Sequence, residues 1–438
     1  MFLKGADISS VSRVESGGSV FTENGQTIDP FIILRNHGIN TIRLRLWHSP
    51  ENGFNNLAET ALLAQRAINA GMSFILDLHY SDTWADPGHQ SKPALWEDIP
   101  YLALRDSVYA YTASVLSELE RLHVTPDIVQ IGNEITCGML WDDGRVCGSF
   151  DTDAQWQKLR ELITEGVRAV REHTDPQDSV SVMVHIDQGG DNEGSRWFFD
   201  HLENVLDDID MIGLSFYPWW QGTLHELESN LTDLSQRYAR DIVVVEAAYP
   251  WTLAWYDTTH NIIGEENQLH EGYPASVNGQ TAYLVDILSL IRAVPEGRGR
   301  GLVYWAPEWI PAQTFGSPWE NLALFDFQGE TLASLNAFDS VNVSVLPEAA
   351  VSHFSLDQNY PNPFNPTTTI RFQLEVASHV TLTIYDILGR EIAVLVSGDI
   401  AAGRYERVWD ATGFPGGVYI YRIRAGAFAE SKGMMMLK

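Results

Sequence analysis

Two glutamates each close a β-branched apolar run, 112 residues apart: Asp127-Ile128-Val129-Gln130-Ile131-Gly132-Asn133-Glu134 and Ile242-Val243-Val244-Val245-Glu246. A charge at the end of a run that otherwise reads as fully buried is costly unless it faces a cleft and has work to do. Two such carboxylates brought together are the minimum equipment for cleaving a glycosidic bond.

The elements that must bring them together alternate. Short apolar β-branched runs recur at Phe2–Ile8, Thr41–Leu46, Ser73–Leu78, Asp127–Ile131, Val180–Ile186, Ile209–Phe216, Ile242–Val245 and Gly301–Trp305. Amphipathic stretches lie between them, at Leu57–Ala70, Leu102–Leu122, Ala154–His173, Leu224–Ala239 and Thr281–Val294 among others. Gly38 and Gly71 read as helix-ending residues just before the next strand. The pattern predicts an α/β fold, a (β/α)8 TIM barrel, over residues 1–342. A doubly wound open sheet is the alternative, weakened because no Gly-rich phosphate fingerprint follows the first strand.

In such a barrel the C-terminal strand ends converge on one mouth. The ring then reads Asp7, Arg43 with Arg45, His79, Asn133 with Glu134, His185 with Asp187, Tyr217, Glu246 and Trp305. An Asp or His at a strand end has a sober explanation as a helix cap, and an arginine as a neutraliser. A polar or aromatic group at nearly every strand end is harder to dismiss. Tryptophan adds to this: thirteen of fourteen lie in the first 346 residues, all but Trp409. Trp47, Trp84, Trp141, Trp219, Trp220, Trp251 and Trp255 fall at strand ends or in loops. There a flat ring suits a sugar face as well as it suits a core.

These residues sit in segments that resemble glycoside hydrolase family 53, the endo-β-1,4-galactanases that cut type I arabinogalactan. The carrying segments are Lys4-Gly5-Ala6-Asp7-Ile8-Ser9-Ser10, the run from Gly38 to Trp47, and the run from Leu76 to Pro87. Ile131-Gly132-Asn133-Glu134, Ser215-Phe216-Tyr217-Pro218-Trp219-Trp220 and Val243-Val244-Val245-Glu246 follow in order. The run from Asp77 to Pro87 is the most specific, whereas Asn-Glu alone marks only the wider clan of retaining barrel glycosidases. The resemblance implies Glu134 as general acid/base and Glu246 as nucleophile, with retention of configuration. Arg43 and Tyr217 are expected to keep Glu246 ionised, and the facing Glu246 to keep Glu134 protonated. Asp7, Arg43, Arg45, Trp47, His79, Asp82, Trp84, Asn133, His185, Asp187, Tyr217, Trp219, Trp220 and Trp305 are the implied substrate-binding set. One departure is local: the eighth strand is followed by Trp305-Ala306-Pro307-Glu308-Trp309, where relatives often place the acid directly after the first Trp.

No cofactor is required for that chemistry. Some bacterial relatives bind a structural calcium in the loop after the seventh strand. Here that loop offers Asp257, His260 and Asn261, without the dense acidic spacing a calcium cage usually needs.

Charge narrows the partners. Residues 1–346 hold 49 of the 58 acidic and 20 of the 28 basic residues, a net of −29. Such an excess repels nucleic acid and anionic lipid. No apolar stretch approaches the length of a membrane span. Cys137 and Cys147 flank a Gly-containing loop just past Glu134 and are read equally as a loop disulfide or as two thiols.

Residues 343–357 form a polar, Pro-containing joint, and residues 358–438 change character. Asn359-Tyr360-Pro361-Asn362-Pro363-Phe364-Asn365-Pro366 is held extended by proline, and alternating strands follow at Thr369–Leu374, Val380–Ile387, Tyr405–Trp409 and Gly417–Ile423. This reads as a small Ig-like β-sandwich. With Tyr385-Asp386-Ile387-Leu388-Gly389-Arg390 and the run from Gly417 to Arg422, it resembles the type A sorting domains of type IX secretion. That resemblance implies a secreted or cell-surface protein, a partner in the secretion or surface machinery, and a precursor leader that this sequence lacks. The other reading of the tail, a carbohydrate-binding module, is disfavoured because its single Trp409 alternates as a core residue would.

The expected partner of the barrel is therefore a polysaccharide, β-1,4-galactan. Rival readings are the same mechanism on mannan, xylan or β-glucan, a non-catalytic glycan-binding surface protein, and a structural adhesin resting only on the tail.

Overall fold

The computed structural model describes residues 2–174, 180–339, 355–374, 378–387, 389–400, 403–425 and 428–437. The chain divides into two compact units, Met1–Asn342 and Val343–Lys438. The joint read at 343–357 lies, up to residue 354, outside the described residues.

The first unit is a closed (β/α)8 barrel. Its strands are β1 Leu3–Asp7, β2 Thr41–Leu46, β3 Ser73–Leu78 and β4 Ile128–Ile131. They continue as β5 Ser181–Ile186, β6 Met211–Ser215, β7 Asp241–Ala247 and β8 Gly299–Trp305. Neighbours pair in parallel, and β8 returns to β1 in the register Leu3↔Gly301 to Asp7↔Trp305. That pairing closes the ring, which an open doubly wound sheet would leave with two edges. The surrounding helices start on side-chain caps: Asn56, Thr152, Asp191 and Ser276 each accept a backbone N–H of the first turn. Thr223 and Glu226 form a reciprocal capping box.

Alternation along the strands separates two cores. Ile42, Leu44, Leu46, Phe74, Leu76 and Leu78 pack outward against the helices in the large apolar cluster. The inward positions form a smaller cluster, Ile75, Ile128, Met183, Met211, Val243, Val245 and Val303, which plugs the barrel. Moving two residues along β3, β4 and β5 toward the mouth, the same inward row becomes polar: Asp77 follows Ile75, Gln130 follows Ile128, and His185 follows Met183. A filled floor with a polar layer above it is what a barrel needs to hold chemistry at its C-terminal face.

The second unit is a β-sandwich-like domain. A three-stranded sheet runs β9 Ser355–Leu356, β10 Thr367–Leu374 and β13 Gly403–Asp410. A four-stranded sheet is ordered β12 Glu391–Ile400, β11 Ser378–Asp386, β14 Gly417–Ala425 and β15 Phe428–Met436. Both β12 and β15 go beyond the sequence reading, because neither shows a clean period of two. Trp409 is buried and contacts Phe364, Phe414 and Tyr419 in this unit's own apolar core.

Candidate active site

Regular alternation would turn Glu246 outward, since Val243 and Val245 already face the barrel interior. The β6–β7 register breaks between Leu214 and Ser215, placing Glu246 opposite Ser215. A bulge of this kind re-aims one side chain without ending the strand. Glu246 is thereby delivered into the mouth, 6% exposed. Glu134 arrives differently. β4 ends at Ile131, Gly132 turns at φ +77°, and Glu134 itself sits in the left-handed region at φ 48°, ψ 50°. A non-glycine residue held there is strained, and such strain clusters at functional sites.

Arg43 organises the floor. Its Nη1 donates to Asp7 at 2.8 Å and to Glu246 Oε1 at 2.9 Å. Nη2 reaches Asn133 Oδ1 at 2.7 Å and Asp77 at 2.9 Å, and Nε donates to Gln130 at 3.1 Å. Burial opposes the charge on Arg43, but Asp77, Glu246 and Asp7 outweigh it and raise its proton affinity. Burial likewise opposes ionisation of Asp77, and Arg43 with His79 more than compensates, holding it below the ordinary carboxylate range. His79 Nδ1 accepts the Ala85 N–H at 3.0 Å, so its Nε2 is the donor to Asp77 at 2.9 Å.

The two glutamates have unequal surroundings. Tyr217 O–H donates to Glu246 Oε2 at 3.0 Å, so both oxygens of Glu246 carry a donor. Burial still pushes Glu246 up to about 7, with Arg43 pulling down and Asp7 and Asp77 pushing further up. The sequence reading expected Arg43 to keep it ionised; Arg43 is in place, but desolvation is the larger effect. Glu134 is raised well above the usual range by burial first, then by the Glu246 and Asp187 charges. Its one donor among the described residues is Ser215 Oγ, 2.6 Å from Oε1. Of the pair, Glu246 ionises first and Glu134 keeps its proton.

Above this floor lies a cleft of about 280 Å³. Asp7, Arg43, Arg45, His79, Asn133, Tyr217 and both glutamates line it. Its walls are aromatic. Trp84 stacks on Trp309 with centroids 6.4 Å apart and meets Trp305 at 6.0 Å. Trp305 in turn meets Trp319 edge-on at 4.6 Å. The Arg45 guanidinium lies 3.9 Å over the Trp84 ring. Trp220 projects at the rim, 60% exposed.

Five residues of the sequence-derived set lie elsewhere. Trp47 is buried against His79 and Trp84 and serves as packing behind the wall. Asp82 is spent on two backbone N–H groups, of Ser49 and Ala94, each at 2.8 Å, which pins adjacent loops. His185 is fully buried beneath Asn133 and Ser215. Asp187 bonds Thr136 and Gln188 behind Glu134, and Trp219 packs on Tyr217 and Trp319. Sequence reasoning missed Asp77, Asp86, Ile262, Trp309, Pro318 and Trp319 as cleft residues. Asp77 had a signal, an acidic residue at the inward position after Ile75; the others lie in loops that have no periodicity to read.

Cys137 and Cys147 are joined in a disulfide, closing the loop just after Glu134. Of the residues named for calcium, Asn261 leaves its buried Oδ1 without a partner among the described residues, while the others are engaged within the protein. Asp257 gives its oxygens to the N–H groups of Thr259 and Ser317, at 2.5 and 2.8 Å. Asn261 donates to Glu320 at 3.4 Å, and His260 packs edge-on against Trp255. Among the described residues no group of three or more His, Cys, Asp or Glu side chains is arranged to hold a metal ion.

Both units of the chain are similar to known proteins. Residues 3–338 match the family model for glycosyl hydrolase family 53, and residues 358–436 match that for a secretion system C-terminal sorting domain. The uncharacterized protein in the bgaB 5' region of Niallia circulans is 48% identical over 343 residues, covering 77% of this chain and 93% of its own length. An arabinogalactan endo-β-1,4-galactanase of Cellvibrio japonicus is 35% identical over 335 residues, covering 74% of this chain and 86% of its own. Among solved structures, the GH53 catalytic domain of Ignisphaera aggregans superposes with a TM-score of 0.71 at 34% identity, covering 77% of this chain and 95% of that one.

Proposed function

The chain belongs to glycosyl hydrolase family 53, and from that premise we infer that its cleft cuts β-1,4-galactosidic bonds within type I (arabino)galactan. The protein is an endo-acting, retaining glycoside hydrolase, an endo-β-1,4-galactanase. Retaining cleavage is a double displacement between two carboxyls about 5–5.5 Å apart, and it draws on no cofactor. Ionised Glu246 attacks the anomeric carbon while Glu134 gives its proton to the departing oxygen. Water then displaces Glu246 with Glu134 acting as base.

The observation that supports this division of labour is the contrast in donors. Glu246 receives Arg43 on one oxygen and Tyr217 on the other, which favours a carboxylate poised to attack. Among the described residues Glu134 has a single neutral donor, and it faces that negative charge. Asn133, locked by Arg43 and by its own bond to the Ala85 carbonyl at 2.8 Å, keeps one amide hydrogen for a sugar hydroxyl. The rings of Trp84, Trp305 and Trp309 suit the C–H faces of galactose units, and the exposed Trp220 extends that surface along the chain.

The tail addresses the chain to type IX secretion and hence to the cell surface or the extracellular space. Its partner there is the secretion machinery. Among the described residues no helix is long and apolar enough to cross a membrane.

The test is reducing-sugar release from β-1,4-galactan beside mannan, xylan and β-glucan, with Glu246→Gln as control. Release from galactan, abolished in the variant, is expected. Cleavage of another glycan instead would keep the mechanism and overturn the substrate.

A further inference from the structure

The acid/base reading of Glu134 does not say which of its two oxygens carries the proton. The polar layer beneath it does. We propose that His185 and Ser215 are positioning residues forming a one-way hydrogen-bond chain, His185 Nε2–H to Ser215 Oγ and Ser215 O–H to Glu134 Oε1, which fixes the catalytic proton on Glu134 Oε2. The proposal rests on the reading of Glu134 given above and adds to it the route by which the proton is placed.

The direction of the chain follows from its far end. The Glu134 backbone N–H points at His185 Nδ1, 3.4 Å away. It has no other acceptor among the described residues, and a buried N–H without one is costly. Nδ1 must therefore be the bare, accepting nitrogen. Gln130 Nε2 also lies 3.2 Å from this atom, but its two hydrogens are taken by Asp77 Oδ1 at 2.6 Å and the Gly132 carbonyl at 3.0 Å. Asn133 Oδ1 also lies 3.0 Å from Nδ1, but it already accepts an Arg43 N–H at 2.7 Å. An oxygen with one donor already in place loses little by going without a second, whereas the buried Glu134 N–H has no alternative acceptor among the described residues, so the ring nitrogen is left bare for it.

A neutral imidazole with Nδ1 bare carries its one hydrogen on Nε2. Burial, with the nearby charge of Arg43, holds His185 well below its ordinary range, so the ring stays neutral. Nε2 stands 2.9 Å from Ser215 Oγ and donates to it. The serine hydrogen is thereby turned away from the histidine and toward Glu134 Oε1 at 2.6 Å. An oxygen already receiving a hydrogen bond from Ser215 has no acceptor for a proton of its own in that direction. The proton is left on Oε2.

The arrangement serves both halves of the reaction unchanged. In the first, the C1–O bond breaks, its electron pair stays with the departing oxygen, and that oxygen takes the proton from Oε2 while a Glu246 oxygen bonds to C1. In the second, water oxygen bonds to C1, its proton passes to Oε2, and Glu246 regains its electron pair. Ser215 donates to Oε1 throughout, so no hydroxyl must turn between the steps. The other charged or titratable groups facing Glu134 are Glu246 on β7, Asp187 after β5, Arg43 on β2 and Tyr217 after β6. None of them offers a neutral donor to Oε1.

Two measurements decide it. In the wild-type enzyme labelled with ¹⁵N-histidine, with His185 assigned by difference from a His185→Gln variant, the ring is expected to show a protonated Nε2 and a bare Nδ1. A protonated Nδ1 overturns the chain. Second, Ser215→Ala removes a donor from the carboxylate form of Glu134. The basic limb of kcat/KM on galactan is then expected to move up by about one pH unit, the order of one hydrogen bond to a charged group. Ser215→Thr, which keeps the hydroxyl, is expected to restore the limb. A limb that stays put or moves down in Ser215→Ala overturns the proposal, and if that variant does not fold, the wild-type spectrum still decides. Full galactan cleavage by Glu134→Gln would sink the acid/base reading instead, and it would leave the His185 tautomer untouched.

Discussion

Arg43 and Glu246, inward-facing on β2 and β7, meet at 2.9 Å although 203 residues separate them. The same Arg43 nitrogen also holds Asp7 at 2.8 Å, and the neighbouring nitrogen holds Asp77 at 2.9 Å. One buried cation thus serves three buried carboxylates, each in the polar layer above the barrel floor. Lysine cannot reproduce this fork, because its ammonium is a point charge without planar, divergent N–H groups. Arg43→Lys is expected to lower kcat on galactan by about 100-fold or more, the loss of one to two charged hydrogen bonds. Arg43→Gln is expected to destabilise the barrel by about 3–5 kcal/mol, the cost of leaving buried charges unpaired. Initial rates on galactan check the first, and chemical denaturation of Arg43→Gln beside wild type checks the second.

The acid limb of activity follows Glu246. Attack needs its carboxylate, and burial sets its titration at about 7 in the free enzyme. The kcat/KM profile is therefore expected to fall as pH drops through about 7. Asp7 pushes Glu246 upward, so Asp7→Asn is expected to move that limb to lower pH. An unmoved limb would show that Asp7 acts only through the geometry of Arg43.

Glu308 is buried without full compensation. Its one bonded oxygen accepts the Ser10 N–H at 2.9 Å, and the other finds no partner among the described residues. Burial pushes its carboxyl up to about 8, with Asp7 adding to the shift. A raised folded value means that the folded state holds the proton more tightly than the unfolded chain. The stability is present below the ordinary carboxylate value and is lost as pH rises through about 8. Glu308→Gln is expected to flatten the fall in melting temperature between pH 5 and pH 9, as scanning calorimetry would show. An equally steep fall in the variant would assign the loss to other groups.

The disulfide between Cys137 and Cys147 spans 10 residues and closes the loop that follows Glu134. Closing a loop of about that length restricts the unfolded chain by roughly 2–3 kcal/mol. A Cys137→Ser, Cys147→Ser double variant is expected to unfold in correspondingly lower denaturant in its barrel transition. A reducing agent should move the wild type in the same direction and leave the double variant unmoved.

Much of this site was legible in the sequence because strand ends obey a rule. Arg43, Tyr217 and Glu246 were found by asking what stands where an apolar run stops. The bulge that turns Glu246 inward was not legible, since Val243 and Val245 already satisfy the alternation. Trp309 and Trp319 were missed for a different reason: they reach the cleft from a loop, where no period announces a face. His185 and Asp82 had strand-end or post-strand positions and still fell outside the cleft, because burial and backbone capping claim such residues as readily as substrate does. In the tail, β12 and β15 escaped notice because their mixed composition carries no regular alternation.

The central claim is that Glu246 forms the covalent bond to sugar while Glu134 handles the proton. Its most direct test is mass spectrometry of the enzyme after turnover of a 2-deoxy-2-fluoro-galactoside, which slows release of the glycosyl intermediate. A single sugar adduct on the peptide carrying Glu246 is the result expected. An adduct on the peptide carrying Glu134, or inverted product with no adduct at all, would contradict the account.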